Sequence, residues 1–111
     1  MENKRQLWYK YEKQVEKLLI KQWYKIVARN YTIRGWEIDL IAVKDDVIHF
    51  VEVKSSNFVE DFQDYITKSK IKSLVKTAKT WMYKNPGDFL YQFDLAIVKD
   101  NEIDYIENFI N

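Results

Sequence analysis

The chain has 111 residues, of which 47% are hydrophobic and 18 are aromatic. Residues 1–111 are therefore expected to form a single domain with a compact core, which excludes disordered and low-complexity classes. The absence of cysteine excludes disulfides, thiolate metal sites and cysteine nucleophiles. Two glycines are too few for a Walker A or GxGxxG loop, and one histidine, His49, excludes HExxH zinc chemistry. Catalysis would have to come from carboxylates and lysines, with or without a metal ion.

Charge is distributed unevenly along the chain, although its net value is only +1. Residues 1–34 have a charge of +6, residues 35–64 of −6, residues 65–84 of +6 and residues 85–111 of −5. Basic segments around an acidic one are typical of polyanion binding at a metal-holding centre, and solvated helix faces give a similar pattern. No apolar run approaches the length of a membrane span or a signal core, so we expect a cytoplasmic protein without membrane contact.

The predicted elements, in chain order, are a helix, three strands, a second helix and one or two strands. Residues 5–22 have an apolar stripe at helical spacing with lysines opposite it. Segments rich in β-branched and aromatic residues predict strands at 24–33, 37–44, 47–54, 91–98 and, more briefly, 103–106. Residues 65–84 form the second predicted helix, which ends at Asn85-Pro86-Gly87. The order αβββαβ(β) predicts an α/β domain whose sheet begins as a meander and continues through a crossover.

Two carboxylates are expected to lie opposite each other on the second and third strands. A hairpin turn centred on Asp45-Asp46 pairs residues whose numbers add to 91. Asp39 then lies opposite Glu52, and in the same register Glu37 lies opposite Lys54. The Cβ atoms of such neighbours are about 4.5–5.5 Å apart, which lets two carboxylates share one cation. A shift of one residue would destroy this geometry.

Structural interpretations of these residues stay open. Glu52 and Lys54 lie in a strand that is apolar on both faces, where they could instead form an ion pair. Glu12 falls inside the apolar arc of the first helix, either as part of a site or as an edge residue whose end reaches solvent. His49 lies on the opposite strand face from Glu52 and is interpreted as structural. Asp94, in the middle of a strand, is interpreted as a local polar partner rather than a ligand.

The second predicted helix has a stripe of four lysines that suits phosphate contacts and equally a plain solvated face: Lys68, Lys72, Lys76 and Lys79. Lys70 lies apart from this stripe, across the apolar arc, and is interpreted as directed at a specific partner. Phe58, Phe62 and Tyr65 lie in or beside an acidic loop. For these aromatics the sequence does not distinguish core, dimer and substrate contacts.

A helical Glu12 is followed by Asp39 and, thirteen residues after Asp39, by Glu52-Val53-Lys54. This set of residues resembles the core motif of the PD-(D/E)XK nuclease superfamily. Within it, the chain is most similar to the YraN family of endonuclease-like proteins and more distantly to archaeal Holliday junction resolvases. The likeness covers nearly the whole chain. The family's usual glycines are replaced by Tyr11, Trp23 and Trp36, which suggests altered turns, and Ile71 stands where a glutamine often follows the lysine.

This resemblance implies a restriction-endonuclease-like core, a mixed sheet flanked by helices, and a DNA endonuclease that depends on Mg²⁺ or Mn²⁺. Asp39, Glu52 and the Val53 carbonyl would be metal ligands, and Glu12 would bind directly or through water. Lys54 would orient the attacking water and stabilise transition-state charge, while Lys70 would touch a phosphate.

Further expectations concern the partners of the chain. The resemblance implies branched or duplex DNA as the substrate, a role in DNA repair or recombination, and a homodimer. The alternative is a non-catalytic nucleic-acid-binding or assembly module that retains a relic of the nuclease site. The near-neutral net charge and the replaced glycines favour this alternative.

Overall fold

The computed structural model describes residues 3–56 and 67–110, in which two helices pack on a five-stranded sheet. The helices are α1 (Lys4–Lys21) and α2 (Lys68–Lys84). The strands are β1 (Lys25–Ile33), β2 (Trp36–Lys44), β3 (Val47–Ser55), β4 (Leu90–Lys99) and β5 (Glu102–Ile106). This order confirms the predicted α/β class and the short fifth strand. Of the helices in the described ranges, none is long and apolar enough to cross a membrane.

The helix α2 begins three residues after its predicted start and ends where the sequence predicted. Thr67 is the N-cap, and its side chain accepts a hydrogen bond from the backbone N–H of Lys70 at 3.2 Å. Such a cap satisfies a donor that the first helical turn leaves without a partner. The helix therefore begins at Lys68, whereas the predicted start at 65 lies outside the described residues, as do Phe58, Phe62 and Tyr65. The C-cap is Asn85, where the sequence predicted the end.

The sheet has the strand order β1-β2-β3-β4-β5. Only the β3–β4 pair is parallel within the described sheet, and α2 provides the crossover that such a pair requires. The β2–β3 ladder pairs Lys44 with Val47 and Leu40 with Val51. This register, in which paired numbers add to 91, confirms the predicted one. The ladder ends at the Leu40–Val51 pair, so the predicted Asp39–Glu52 pair lies one position beyond it.

Residues with positive φ angles lie in the turn between β2 and β3 and in the turn between α1 and β1. Asp45 and Asp46 have φ angles of 52° and 62°, which fit a tight two-residue hairpin whose twist matches that of the strands. Trp23, directly after α1, has a φ of 72° and a side chain that is 87% exposed. Glycine is the residue that adopts this conformation most easily. Trp23 therefore adopts a backbone conformation that is unusual for a residue other than glycine.

Two hydrophobic clusters cover opposite faces of the sheet. Val15 and Leu19 of α1 pack into one cluster, and Leu74 and Ala78 of α2 pack into the other. Because successive strand residues point to opposite faces, β3 contributes alternate side chains to each cluster. This burial on both sides agrees with its apolar sequence and fixes the β2–β3 hairpin between the two helices.

Candidate active site

A cavity of about 740 Å³ lies between α1 and the end of the β2–β3 hairpin that is remote from its turn. Glu12 of α1 and Glu37 and Asp39 of β2 line it, together with Val53 and Lys54 of β3. Four predicted site residues that are far apart in the sequence thus meet in one place. Glu37 and Lys54, which the predicted register places opposite each other, both line this cavity.

The backbone of β3 holds the side chain of Asp39. The Val53 N–H donates a hydrogen bond to Asp39 Oδ2 at 2.7 Å. Burial raises the pKa of Asp39 to about 7, and the negative charges of Glu12 and Glu37 act in the same direction. The hydrogen bond from Val53 and the positive charge of Lys54 oppose this increase without cancelling it. Asp39 is therefore a carboxylate whose ionised form gains from an added positive charge.

Asn30 of β1 fixes the position of Glu12. Its side-chain amide donates to both carboxylate oxygens of Glu12, at 3.1 and 2.9 Å. Burial raises the pKa of Glu12, the hydrogen bond from Asn30 lowers it, and the charge of Glu37 raises it further. Glu12 is thus a half-buried acid held in the cavity. Glu12 therefore lines the same cavity as Asp39 and Lys54.

Asn30 reaches α1 because its backbone is left-handed, with a φ of 49°. Its neighbour Arg29 binds Glu16 of the same helix through two hydrogen bonds, of 2.6 and 3.2 Å. Consecutive strand residues usually point to opposite faces, and the unusual φ lets both turn towards α1. Glu12 and Glu16, one helical turn apart, are thereby both tied to β1. The signal in the sequence for these contacts is an amide and a cation side by side on β1 and two acids four residues apart on α1.

Lys54 lies against an aromatic side chain of α1. Its Nζ is 5.5 Å from the centroid of the Trp8 ring, within the range of a cation–π interaction. Trp8 in turn packs edge-on against Tyr11, with ring centroids 5.7 Å apart. The ammonium group is close enough to Asp39 to lower its pKa. Lys54 is therefore held between an aromatic surface and a carboxylate.

The other predicted site residues are absent from the described lining of the cavity. Glu52 is 2% exposed, within the buried part of β3. The lysines of α2 are all exposed on a helix that covers the other face of the sheet: Lys68, Lys70, Lys72, Lys76 and Lys79. Besides Lys54, the cations that line the cavity are Lys4 and Arg5 in the first turn of α1. In the sequence these two stand out only as part of the basic segment 1–34.

A second group of possible metal ligands lies around His49. Ligand atoms of His49, Asp94 and Glu107 lie within 4.8 Å of one another, so this group could hold a metal ion. Asp94 is fully buried, and its carboxylate already has four hydrogen-bonding neighbours: His49 Nδ1, the Tyr105 hydroxyl, the Gln92 amide and the Asn108 N–H. Burial opposes ionisation of Asp94, but these hydrogen bonds outweigh it and lower its pKa. The prediction that Asp94 is a local polar partner agrees with this geometry.

The donor set of the cavity fits a small divalent cation. Glu12, Glu37 and Asp39 supply carboxylate oxygens, which are the ligands that Mg²⁺ and Mn²⁺ prefer. Burial raises the pKa of both Glu12 and Asp39. A bound cation would offset the cost of ionising these two groups side by side.

Comparison with known proteins identifies relatives along most of the chain. Residues 11–98 match the model of a family described as uncharacterised protein family UPF0102. A UPF0102 protein of Campylobacter fetus is 37% identical over 102 residues, which cover 90% of this chain and 89% of the relative. One of Sulfurimonas denitrificans is 42% identical over 90 residues (81% and 83%), and one of Helicobacter hepaticus is 41% identical over 85 residues (77% and 76%). Their names state no activity.

Proposed function

The chain belongs to the uncharacterised protein family UPF0102, and we propose that it is a metal-dependent nuclease that hydrolyses DNA phosphodiester bonds. The observation that carries the proposal is the convergence of Glu12, Asp39 and Lys54 in one cavity, where the pKa of Asp39 is raised to about 7. A strongly perturbed carboxylate beside a lysine in a cavity is typical of a catalytic site. The resemblance to PD-(D/E)XK nucleases assigns catalytic roles to the same residues.

Asp39 and Glu12 are the residues that would hold Mg²⁺ or Mn²⁺. Glu52 and the Val53 carbonyl are the further ligands that the resemblance implies. When bound, such an ion activates water and neutralises phosphate charge. Asn30 keeps Glu12 oriented through both of its carboxylate oxygens. The Val53 N–H does the same for Asp39.

Lys54 supplies the positive charge that the reaction needs on the protein side. Its ammonium group faces the cavity beside Asp39. There it would orient the attacking water and stabilise the negative charge that develops on the phosphate. The Trp8 ring restricts the positions that Nζ can adopt, so that Lys54 stays directed at the cavity.

The proposal is tested by incubating labelled four-way junction, flap, duplex and single-stranded DNA with Mg²⁺ or Mn²⁺. We expect metal-dependent cleavage by the wild-type chain and a loss of at least about a hundredfold in Asp39→Ala. The matched control is Asp104→Ala, because Asp104 is an exposed aspartate of β5. Symmetric cuts in the junction would support a homodimeric resolvase.

Two results would contradict the proposal. Unchanged cleavage in Asp39→Ala would remove the site assignment. The absence of cleavage by a folded protein that binds these DNA molecules would favour the non-catalytic binding module instead. Cleavage of other substrates without symmetric junction cuts would keep the nuclease and remove the resolvase role.

A further inference from the structure

The first turns of α1 present two stripes of side chains that lead towards the carboxylates. Lys4, Trp8 and Glu12 are four residues apart and lie on one side of the helix, and Arg5 and Tyr9 form the neighbouring stripe. All five line the cavity of about 740 Å³. Four residues advance about 6 Å along a helix axis. A cation, an aromatic ring and a site carboxylate therefore follow one another in steps of one turn.

Tyr9 is the most accessible aromatic group of this surface. Its side chain is 58% exposed. Together with Arg5 it also lines an adjoining cavity of about 540 Å³, whose other described residues are Gln6 and Lys10. A planar ring is thus presented between two cavities, each of which is bordered by cationic side chains.

Positive charge is concentrated at the same end of α1. Its first turn contains no acidic residue and begins with Lys4 and Arg5, although cations near a helix N-terminus are electrostatically unfavourable. The side-chain charges and the positive end of the helix dipole add up there. Such a potential attracts phosphate groups.

We propose that this end of α1 binds unpaired nucleotides, with a base stacked on Tyr9 and the adjoining phosphates in contact with Lys4 and Arg5. The inference rests on the proposed function, since it specifies which form of the strand reaches Asp39. A base inside a duplex is covered on both faces by its neighbours, whereas an unpaired base can stack on a side chain. Proteins that bind single strands combine aromatic rings and a basic groove in this way.

One observation favours this surface over an extended contact with duplex DNA. The lysine stripe of α2 lies on the helix that covers the opposite face of the sheet, so it does not continue the basic surface of the cavity.

The test measures fluorescence anisotropy of a labelled single-stranded DNA and of a duplex of the same length, in EDTA so that no cleavage occurs. We expect the single strand to bind at least about tenfold more tightly than the duplex, and Tyr9→Ala to weaken strand binding about five- to hundredfold. Tyr9→Phe keeps the ring and should stay within about twofold of the wild type. Tyr83→Ala is the matched control, because Tyr83 is an 85% exposed tyrosine of α2.

Equal affinity for strand and duplex, or unchanged strand affinity in Tyr9→Ala, would overturn the inference. The cleavage assay separates this failure from that of the proposed function. If the wild type cleaves uninterrupted duplex and Tyr9→Ala cleaves it equally fast, the proposal of strand binding is overturned and the nuclease proposal stands. Strand binding that depends on Tyr9, without metal-dependent cleavage, would support the surface and contradict the nuclease.

Discussion

Asp39 and Asp94 are aspartates of the same sheet, and their surroundings act on the pKa in opposite directions. Asp94 is fully buried, yet donors that include His49 and Tyr105 hold its pKa below the usual value. Asp39 accepts a backbone N–H from Val53, and burial together with negatively charged neighbours raises its pKa to about 7. Loss of contact with water opposes the ionisation of both groups. The difference lies in what surrounds each carboxylate.

This difference supports the proposal that Asp94 is a structural acid and Asp39 an acid of the active site. At Asp94 the protein supplies several hydrogen-bond donors, so the ionised carboxylate adds to stability without a bound cation. Where the protein opposes ionisation, as at Asp39, the charge is maintained at a cost, and a cation is the natural partner. The two aspartates, which are similar in sequence context, are therefore expected to have different roles. Removal of the two charges is therefore expected to change the free energy of unfolding in opposite directions.

Asp94→Ala has the largest expected effect. It removes the shared acceptor of four hydrogen-bonding groups, which include the buried His49 and the Tyr105 hydroxyl. We expect the free energy of unfolding to fall by about 3–5 kcal/mol, as measured by urea denaturation. Asp104→Ala, at an exposed position of β5, should change it by less than about 0.5 kcal/mol. A loss below about 1 kcal/mol in Asp94→Ala would contradict the structural assignment.

Asp39→Asn is expected to change the free energy of unfolding by a smaller amount and in the opposite direction. The unfolded chain ionises Asp39 near its ordinary pKa of 3.8, and the folded chain only near 7. This group therefore contributes stability at low pH that is lost as the pH rises through about 7. Replacing the charge should raise the free energy of unfolding of the metal-free protein by about 1–4 kcal/mol at neutral or alkaline pH.

Thermal melting at a series of pH values measures this gain. It should be greatest above the raised pKa of Asp39 and vanish below its ordinary pKa, where the carboxyl is neutral in both states. Asp94 gives the opposite dependence, because its lowered pKa contributes stability that is lost as the pH falls. A metal-free Asp39→Asn variant that melts below the wild type under alkaline conditions would show that the Asp39 charge is already satisfied by the protein.

Asn30→Gly has the smallest expected effect on stability. Glycine keeps the left-handed backbone of this position but loses the amide that binds Glu12. We expect a loss of about 0.5–1.5 kcal/mol and a decrease of about tenfold in Mn²⁺ affinity. Glu16→Gln, which weakens the neighbouring contact with Arg29, should cost less than about 1 kcal/mol and leave Mn²⁺ affinity unchanged. Equal Mn²⁺ affinities in the two variants would show that Asn30 does not position Glu12.

The sequence predicted those features that depend on local patterns. The Asp45-Asp46 turn determined the β2–β3 register, and that register brought Asp39 and Lys54 to the same end of the hairpin. Three features depend on the tertiary structure and could not be predicted in this way. The turn of Asn30 towards α1 follows from one unusual φ angle. The Trp8–Lys54 contact needs the packing of α1 on β3, and the donors to Asp94 include groups on and beyond β5.

The most direct test of the account is a calorimetric titration with Mn²⁺ of the wild type, Asp39→Asn and Glu107→Gln at pH 8. Glu107 is the exposed member of the second possible ligand group, around His49, so its replacement tests that group without disturbing the buried Asp94. The account predicts that Mn²⁺ binds to the wild type and to Glu107→Gln and that binding is lost in Asp39→Asn. Binding that survives in Asp39→Asn and is lost in Glu107→Gln would place the metal at His49 and contradict the assignment of the cavity as the active site.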